Sequence, residues 1–439
     1  MTDPDRLTYP QAVAALTERG RFGISMGLAR VERLMAEAGH PERTLRGALV
    51  GGTNGKGSVV AMTRAVLNAA GHRVGTMPKP HLVSYRERVA VDGEPISSSD
   101  FADAVARVLP AIDRVAGEFG PPTEFEALTA AAIGELSRRE VDLAIVEVGM
   151  GGRLDATNVL DLGVAAITTV QHDHEAYLGH TLAAIGGEKA PIIKPGNLAV
   201  SGASGRGLRP IVERCAALGV PLLRAGRGQA YEARMVAGGW DGITVDARTP
   251  RGTLSGLRVG LLGTHQAENV AVALALLDAL ADRWDVRVGA APLREGLAAA
   301  RWPGRLELVD GSALGHRRIL LDGAHNPAGA TALARSLADL GLHAPTIVFG
   351  AMRGKDVRRV LSALAPLEPR FVFTRVADSN AHDPDELARA WEALGGTARS
   401  APDPRRALEI ADGDPVVVAG SLYLVGEVRG MITGTSEES

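Results

Sequence analysis

Seven consecutive residues, Gly52-Thr53-Asn54-Gly55-Lys56-Gly57-Ser58, hold chemistry that residue type and order alone make legible. Glycines let a chain turn tightly and expose backbone N–H groups, Lys56 adds a point charge, and Ser58 offers a hydroxyl to a divalent cation. Such a set cradles phosphate. The strict spacing G-x-x-x-x-G-K-[ST] is not met, because position 50 is valine and Gly57 separates Lys56 from Ser58. Glu147 and His174 are candidate cation ligands further along, although magnesium prefers oxygen and a lone histidine is more often a structural hydrogen-bonding group. Lys189 alone reads as a solvated lysine on a helix. His265-Gln266-Ala267-Glu268-Asn269 alone reads as polar capping of an apolar helix. In Leu321-Asp322-Gly323-Ala324-His325-Asn326-Pro327, Asn326 before Pro327 is a good helix cap, so the plain reading is a buried turn.

A phosphate cradle needs a strand before it and a helix after it. Gly47 to Gly51 is a short apolar run, and Ser58 to Ala70 carries apolar residues at helical spacing, which predicts that unit. Val141 to Val148 and Gly163 to Val170 are apolar without alternation, as in strands buried on both faces of a parallel sheet. Phe125 to Arg138 reads as one of the intervening helices. Glu147 and His174 then follow two such strands and emerge beside the cradle, at the carboxyl edge of the sheet. The alternation predicts an α/β, doubly wound parallel-sheet domain over residues 1–299. After Trp302-Pro303-Gly304 it starts afresh. Strands are expected near Arg318, Thr346, Arg370 and Pro415, with helices at Pro327 to Leu340, Asp356 to Leu364, Asp383 to Leu394 and Pro404 to Ala411. A smaller, Rossmann-like α/β domain over residues 300–439 is the expectation, with a site in the cleft between the two.

The 439 residues are 46% hydrophobic and 23% charged, with a formal net charge of -3. That is ample material for more than one core, and it gives no bulk attraction to nucleic acid or an anionic membrane. The first residues lack a basic segment followed by an apolar run, and no stretch approaches the roughly 18 apolar residues of a span. Cys215 is the single cysteine, which excludes an internal disulfide and a cysteine zinc cluster. A monomeric cytoplasmic protein acting on small molecules, with no nucleic-acid or membrane partner, is expected.

The glycine loop resembles that of the Mur ligase superfamily, in its folylpolyglutamate synthase and dihydrofolate synthase branch. The resemblance runs through most of the chain in order: His81-Leu82-Val83-Ser84-Tyr85-Arg86-Glu87-Arg88, then the stretch from Glu147-Val148-Gly149 to Ala156-Thr157-Asn158. Asp173-His174, Tyr177-Leu178-Gly179 and Glu188-Lys189-Ala190 follow. It implies ATP bound by Thr53, Asn54, Gly55, Lys56, Gly57 and Ser58, with Asn269, Arg305 and Asp322 also on the nucleotide. Magnesium, two ions in all, would be held by Ser58, Glu147 and His174. Lys189 would be carbamylated, turning a cation into an anion that serves the second ion. His325 would neighbour the acyl phosphate. Thr123, Glu124, Phe125, Glu126, Leu154, Asp155 and Ala156 would line the acceptor pocket, with Ile24 to Met26 adding to it.

The implied reaction is attack of a folate or dihydropteroate carboxylate on the γ-phosphate of ATP, followed by displacement of phosphate by the amino group of glutamate. Lys56, Lys189, Asp322 and His325 would carry the catalysis. A Mur-type ligase with another acceptor, a phosphate-loop NTPase without ligation, and a non-catalytic nucleotide-binding relative stand as alternatives. One departure feeds the last: Pro78-Lys79-Pro80-His81 stands where the family usually has Thr-Ser-Pro-His, whose serine binds magnesium. A protonated lysine has no lone pair for a metal. The expectation is that the Lys79 ammonium lies near the phosphates or pairs with Glu147, with water in the vacated metal position.

Overall fold

The structure, a computed structural model, describes residues 7–19 and 27–435. Ile24 to Met26 therefore lie outside the described residues. The first sheet holds eight strands: β1 (Gly47–Gly51), β2 (Val74–Met77), β3 (Ala90–Val91), β4 (Glu94–Pro95), β5 (Leu143–Glu147), β6 (Gly163–Ile167), β7 (Leu198–Ser201) and β8 (Leu222–Arg224). Their spatial order is β4-β3-β2-β5-β1-β6-β7-β8, parallel from β2 to β8, with a short antiparallel edge at β3 and β4. All five residues of β1 are buried, as a central parallel strand requires. Leu49 packs into one core beneath helices Ser98–Phe119 and Glu124–Arg138. Ala48 and Val50 point to the opposite face and a second core, shared with helices Lys56–Ala69 and Gln266–Trp284.

Strand β1 lies between β5 and β6, with Val50 level with Glu147 and Gly51 level with Ile167. The glycine loop leaves the carboxyl end of β1, so Glu147 and the segment Thr168 to His174 rise on either side of it. This is the crevice in which open α/β sheets bind ligands.

A feature absent from the sequence-based expectation follows: β9 (Glu232–Gly239), β10 (Gly242–Thr249) and β11 (Gly252–Val259) form an antiparallel three-stranded sheet. Ile243, Val245 and Ala247 alternate inward at period two and pack in the second core with helix Gln266–Trp284. The Tyr231 hydroxyl donates to Asp278 on that helix at 2.8 Å.

The chain then builds a third sheet from β12 (Glu307–Asp310), β13 (Arg318–Leu321), β14 (Thr346–Phe349), β15 (Arg370–Thr374), β16 (Ala398–Ala401) and β17 (Val416–Ala419). The order is β12-β13-β17-β14-β15-β16, and all pairs except β12 with β13 are parallel. The carboxyl end of β13 carries Asp322 to Asn326 toward the crevice of the first sheet.

Candidate active site

A cavity of about 820 Å³ runs between the two parallel sheets, lined by the glycine loop, Glu147, His174, Lys189, Asn269, Arg305, Asp322 and His325. It is also lined by Thr123 to Glu126 and by Leu154 to Ala156. The structure thus brings together every described residue to which the resemblance assigned a role.

The glycines are needed where the loop turns. Gly55 has φ of +84°, and a Cβ there would lie 2.3 Å from Asn269 Oδ1; a Cβ on Gly57 would lie 2.4 Å from the Trp302 ring. Asn269 and Trp302 therefore press on the loop from segments more than 200 residues away. The loop is further tied to the segment after β6: Asn54 N donates to Thr169 Oγ1 at 3.0 Å, and Asn54 Nδ2 donates to Gln171 Oε1 at 2.7 Å. Lys56 Nζ folds back to the carbonyls of Gly52 and Thr53 at 3.2 and 3.1 Å, with Glu147 Oε1 at 3.9 Å.

Glu147 is buried and raised above the usual carboxyl range by desolvation, against the pull of Lys56. Its closest polar contact is the backbone N–H of Lys79 at 3.3 Å. Oxygen lone pairs are thus left for a cation. Ser58 Oγ accepts from Gln266 at 3.3 Å, and burial holds His174 below its ordinary pKa, leaving a neutral imidazole. Such a set fits a magnesium ion that keeps water and phosphate oxygens as its other ligands. Among the described residues no three His, Cys, Asp or Glu side chains form a metal cluster, so the fit depends on the Ser58 hydroxyl.

Lys189 is buried at the end of helix Leu182–Lys189 and donates to the Gly52 carbonyl at 3.1 Å. Burial, reinforced by the charge of Lys56, pushes its amine down to about 7. The plain reading of a solvated lysine is overturned.

Asp322 is buried and accepts from the Leu306 and Ala324 backbone N–H groups, each at 2.9 Å. It fixes the linker that carries Arg305, whose guanidinium lies against Gly323. His325 Nδ1 donates to the Gly323 carbonyl at 2.7 Å, because a carbonyl can only accept; burial and the Lys355 and Arg305 charges push the imidazole down to about 4. Asn326 caps helix Pro327–Asp339 through Gly329 N, and its Nδ2 donates to Asp173 at 2.9 Å.

On the acceptor side several residues have structural duties. Thr123 and Glu126 form a capping box, Glu126 Oε2 accepting from Thr123 N at 2.8 Å and from Arg30 Nε at 3.0 Å. Asp155 accepts from Met150 N at 2.8 Å and from Thr157 Oγ1 at 2.6 Å. Glu124 accepts from the Tyr85 hydroxyl at 2.6 Å.

Of the two positions expected for the Lys79 ammonium, pairing with Glu147 is not what the structure has. The Lys79 backbone, not its ammonium, reaches Glu147, and Nζ stands 3.5 Å above the centroid of the Phe125 ring. Burial pushes the amine down to about 8, although the Asp155 charge opposes the change. The electron-rich face of the Phe125 ring accounts for that placement.

Asp173, Arg88 and Lys355 are among the lining residues to which no role was assigned. Asp173 binds Lys355 Nζ at 3.3 Å as well as Asn326, and Arg88 donates through Nε to His81 Nδ1 at 2.9 Å. Asp173 and Arg88 lie inside motifs quoted above; Lys355, in a loop after β14, carries no signal in the sequence.

Comparison with known proteins fits this arrangement. Residues 103–277 match the Mur ligase middle domain, and residues 304–422 the Mur ligase glutamate ligase domain. The dihydrofolate synthase/folylpolyglutamate synthase of Bacillus subtilis is 34% identical, over 96% of this chain and 98% of its own. The folylpolyglutamate synthase of Lacticaseibacillus casei is 32% identical over 98% and 99%. Among solved structures, Mycobacterium tuberculosis folylpolyglutamate synthase complexed with ADP superposes with a TM-score of 0.87 at 31% identity, covering 96% of this chain and 98% of that one. Escherichia coli FolC in complex with DHPP and ADP gives 0.84 at 28% identity, over 96% and 98%. Relatives at 31 to 34% identity match this chain from end to end, and it belongs to the dihydrofolate synthase/folylpolyglutamate synthase family of Mur ligases.

Proposed function

We propose that the chain is an ATP-dependent ligase that adds L-glutamate to the carboxylate of dihydropteroate or of a reduced folate through an acyl phosphate. The supporting observation is the cavity itself: phosphate loop, Glu147, Arg305 and the acceptor-side residues converge on one volume between the sheets. Residues 1–299 act as the ATP-binding part and residues 300–439 as the part that brings glutamate. Thr53 to Ser58, Asn269, Arg305 and Asp322 surround the nucleotide, and Thr123 to Glu126 with Leu154 to Ala156 surround the acceptor.

Catalysis rests on positioning and charge neutralisation. Lys56 leaves its own loop carbonyls to meet the phosphates, and Arg305 approaches from the second sheet. Ser58, Glu147 and His174 would hold magnesium, which would supply Lewis-acid polarisation of the phosphate oxygens. Lys189 is carbamylated: an amine near 7 is largely unprotonated at slightly alkaline pH, the form that adds carbon dioxide. The neutral His325, whose Nε2 lies 4.0 Å from Asp173 Oδ2, lines the same cavity and serves the incoming amine as a hydrogen-bond acceptor. The enzyme works as a cytoplasmic monomer on small molecules; no helix of the described residues is long and apolar enough to cross a membrane.

Incubation of the purified chain with ATP, magnesium, glutamate and either dihydropteroate or tetrahydrofolate, followed by mass measurement, tests this reading. A product heavier than the acceptor by one glutamyl residue, with ADP formed in equal amount, is expected. ADP formation that ignores both acceptor and glutamate would favour a non-ligating NTPase instead.

A further inference from the structure

Two cations line the cavity between the phosphate loop and the acceptor pocket with no acid hydrogen-bonded to either: Asp155 and Glu147 act on Lys79, and Glu124 and Glu147 on Arg88, only through space. Arg88 is buried, spends Nε on His81 Nδ1 at 2.9 Å, and leaves Nη1 buried without a partner. Among the described residues, Lys79 Nζ makes no hydrogen bond or ion pair; its neighbour is the Phe125 ring at 3.5 Å. The acids nearby have other hydrogen-bond partners, Asp155 with Met150 N and Thr157 and Glu124 with the Tyr85 hydroxyl, while Glu147, the carboxylate left for a metal cation, meets the Lys79 backbone and Lys56. Buried cations are normally paired, and an orphaned guanidinium nitrogen inside a protein is costly. Two of them lining one cavity call for an anion from outside.

Their position selects the anion. Lys79 reaches Phe125 and the Gly149 backbone on the acceptor side, while its own main chain touches Glu147 on the nucleotide side. The group that must sit at this seam is the attacking carboxylate. Resting on the function proposed above, we propose that Lys79 and Arg88 together form the receptor for the acceptor's reacting carboxylate. In that step a carboxylate oxygen bonds to the γ-phosphorus while the bond from that phosphorus to the bridging oxygen breaks. The electron pair leaves with ADP, and no proton moves. Anion attacks anion, so positive charge is needed at both ends. Lys56 and Arg305 serve the phosphates; Lys79 and Arg88 serve the nucleophile. Lys79 also covers one face of Phe125, which leaves the acceptor's aromatic system the edge and the other face.

Calorimetric titration of the full chain, without nucleotide, compares dihydropteroate with its carboxamide, which has the same shape and no charge. The wild type should prefer the acid by on the order of tenfold or more, the worth of a charged hydrogen-bonded pair. Lys79→Met should abolish most of that preference and raise the KM for the acceptor while leaving the KM for ATP within about twofold. Lys79→Arg should keep the preference. Should Lys79→Met melt early, Arg88→Lys, which retains charge but loses the planar fork, decides by the same ratio. An unchanged acid-to-amide ratio in a folded variant, with the wild type still making a glutamate adduct, overturns the receptor alone. A wild type that makes no adduct from either acceptor overturns the proposed function and the receptor with it.

Discussion

The two ends of the cavity solve their charge problems differently. At the phosphate end the cations are parked on the protein itself: Lys56 lies on two loop carbonyls and Lys189 donates to one of them, that of Gly52. The alternative partner of Lys56 is the nucleotide, and the loop is complete without it. At the acceptor end the acids are parked instead, as caps and loop ties, and the cations Lys79 and Arg88 are left facing the cavity. A backbone cradle needs only glycines and a lysine, whereas a side-chain pocket must be assembled from groups that also hold helices in place. Damage should accordingly separate into loss of chemistry at one end and loss of stability at the other.

Lys56→Ala is the sharpest break. Product formation should drop at least about a thousandfold, as for removal of a phosphate-clamping charge, with the melting temperature unchanged. Near wild-type turnover would remove the phosphate loop from the mechanism.

Glu126→Ala should act the opposite way. It takes away a helix cap and leaves the Arg30 contact without its carboxylate, at about 3 kcal/mol of unfolding free energy by denaturant titration. A loss under about 1 kcal/mol would show that the acceptor wall does not depend on its caps.

Acid gives the third test. His81, His265 and His325 lie near 3, 4 and 4 in the folded chain, each lowered by burial from an ordinary 6.5. The unfolded chain takes up their protons first, so their contribution is complete above about 6.5 and is lost as pH falls toward 4. The slope is at most about 1.4 kcal/mol per pH unit for each proton. His265→Asn should flatten the dependence of stability on pH between 6.5 and 4; an unaltered slope would place the linkage elsewhere.

The smallest effect is expected away from both ends. Tyr231→Phe removes the hydrogen bond to Asp278 and should cost about 1 kcal/mol, with turnover unchanged. A fall in turnover would mean that the three-stranded sheet communicates with the cavity.

Legibility in the sequence follows the same division. Gly55 and Gly57 are demanded by local geometry and by close contacts, so the loop stands out as a pattern. Strands buried on both faces, such as β1 and β5, announce themselves as unbroken apolar runs. The hairpins β9 to β11 do not, although Ile243, Val245 and Ala247 alternate as a half-buried strand should. The sequence neighbours of Lys79 point it at the phosphates, whereas what holds its ammonium is the Phe125 ring, on a helix distant in the chain. Lys355 gains meaning only from Asp173, which no periodicity connects to it.

Asp173 makes the two sheets one thermodynamic system. It rises after β6, yet its hydrogen bonds go to Asn326 and Lys355 beyond β13 and β14, and burial notwithstanding, the charges of His174, Lys355 and His325 hold it down to about 2. The seam is thus pinned by an ion that competes with any anionic ligand for the same Lys355. Linkage is reciprocal: a ligand that takes Lys355 loosens the pin, and the pin weakens that ligand by the same free energy. Opening and occupancy of the crevice are therefore two readings of a single equilibrium.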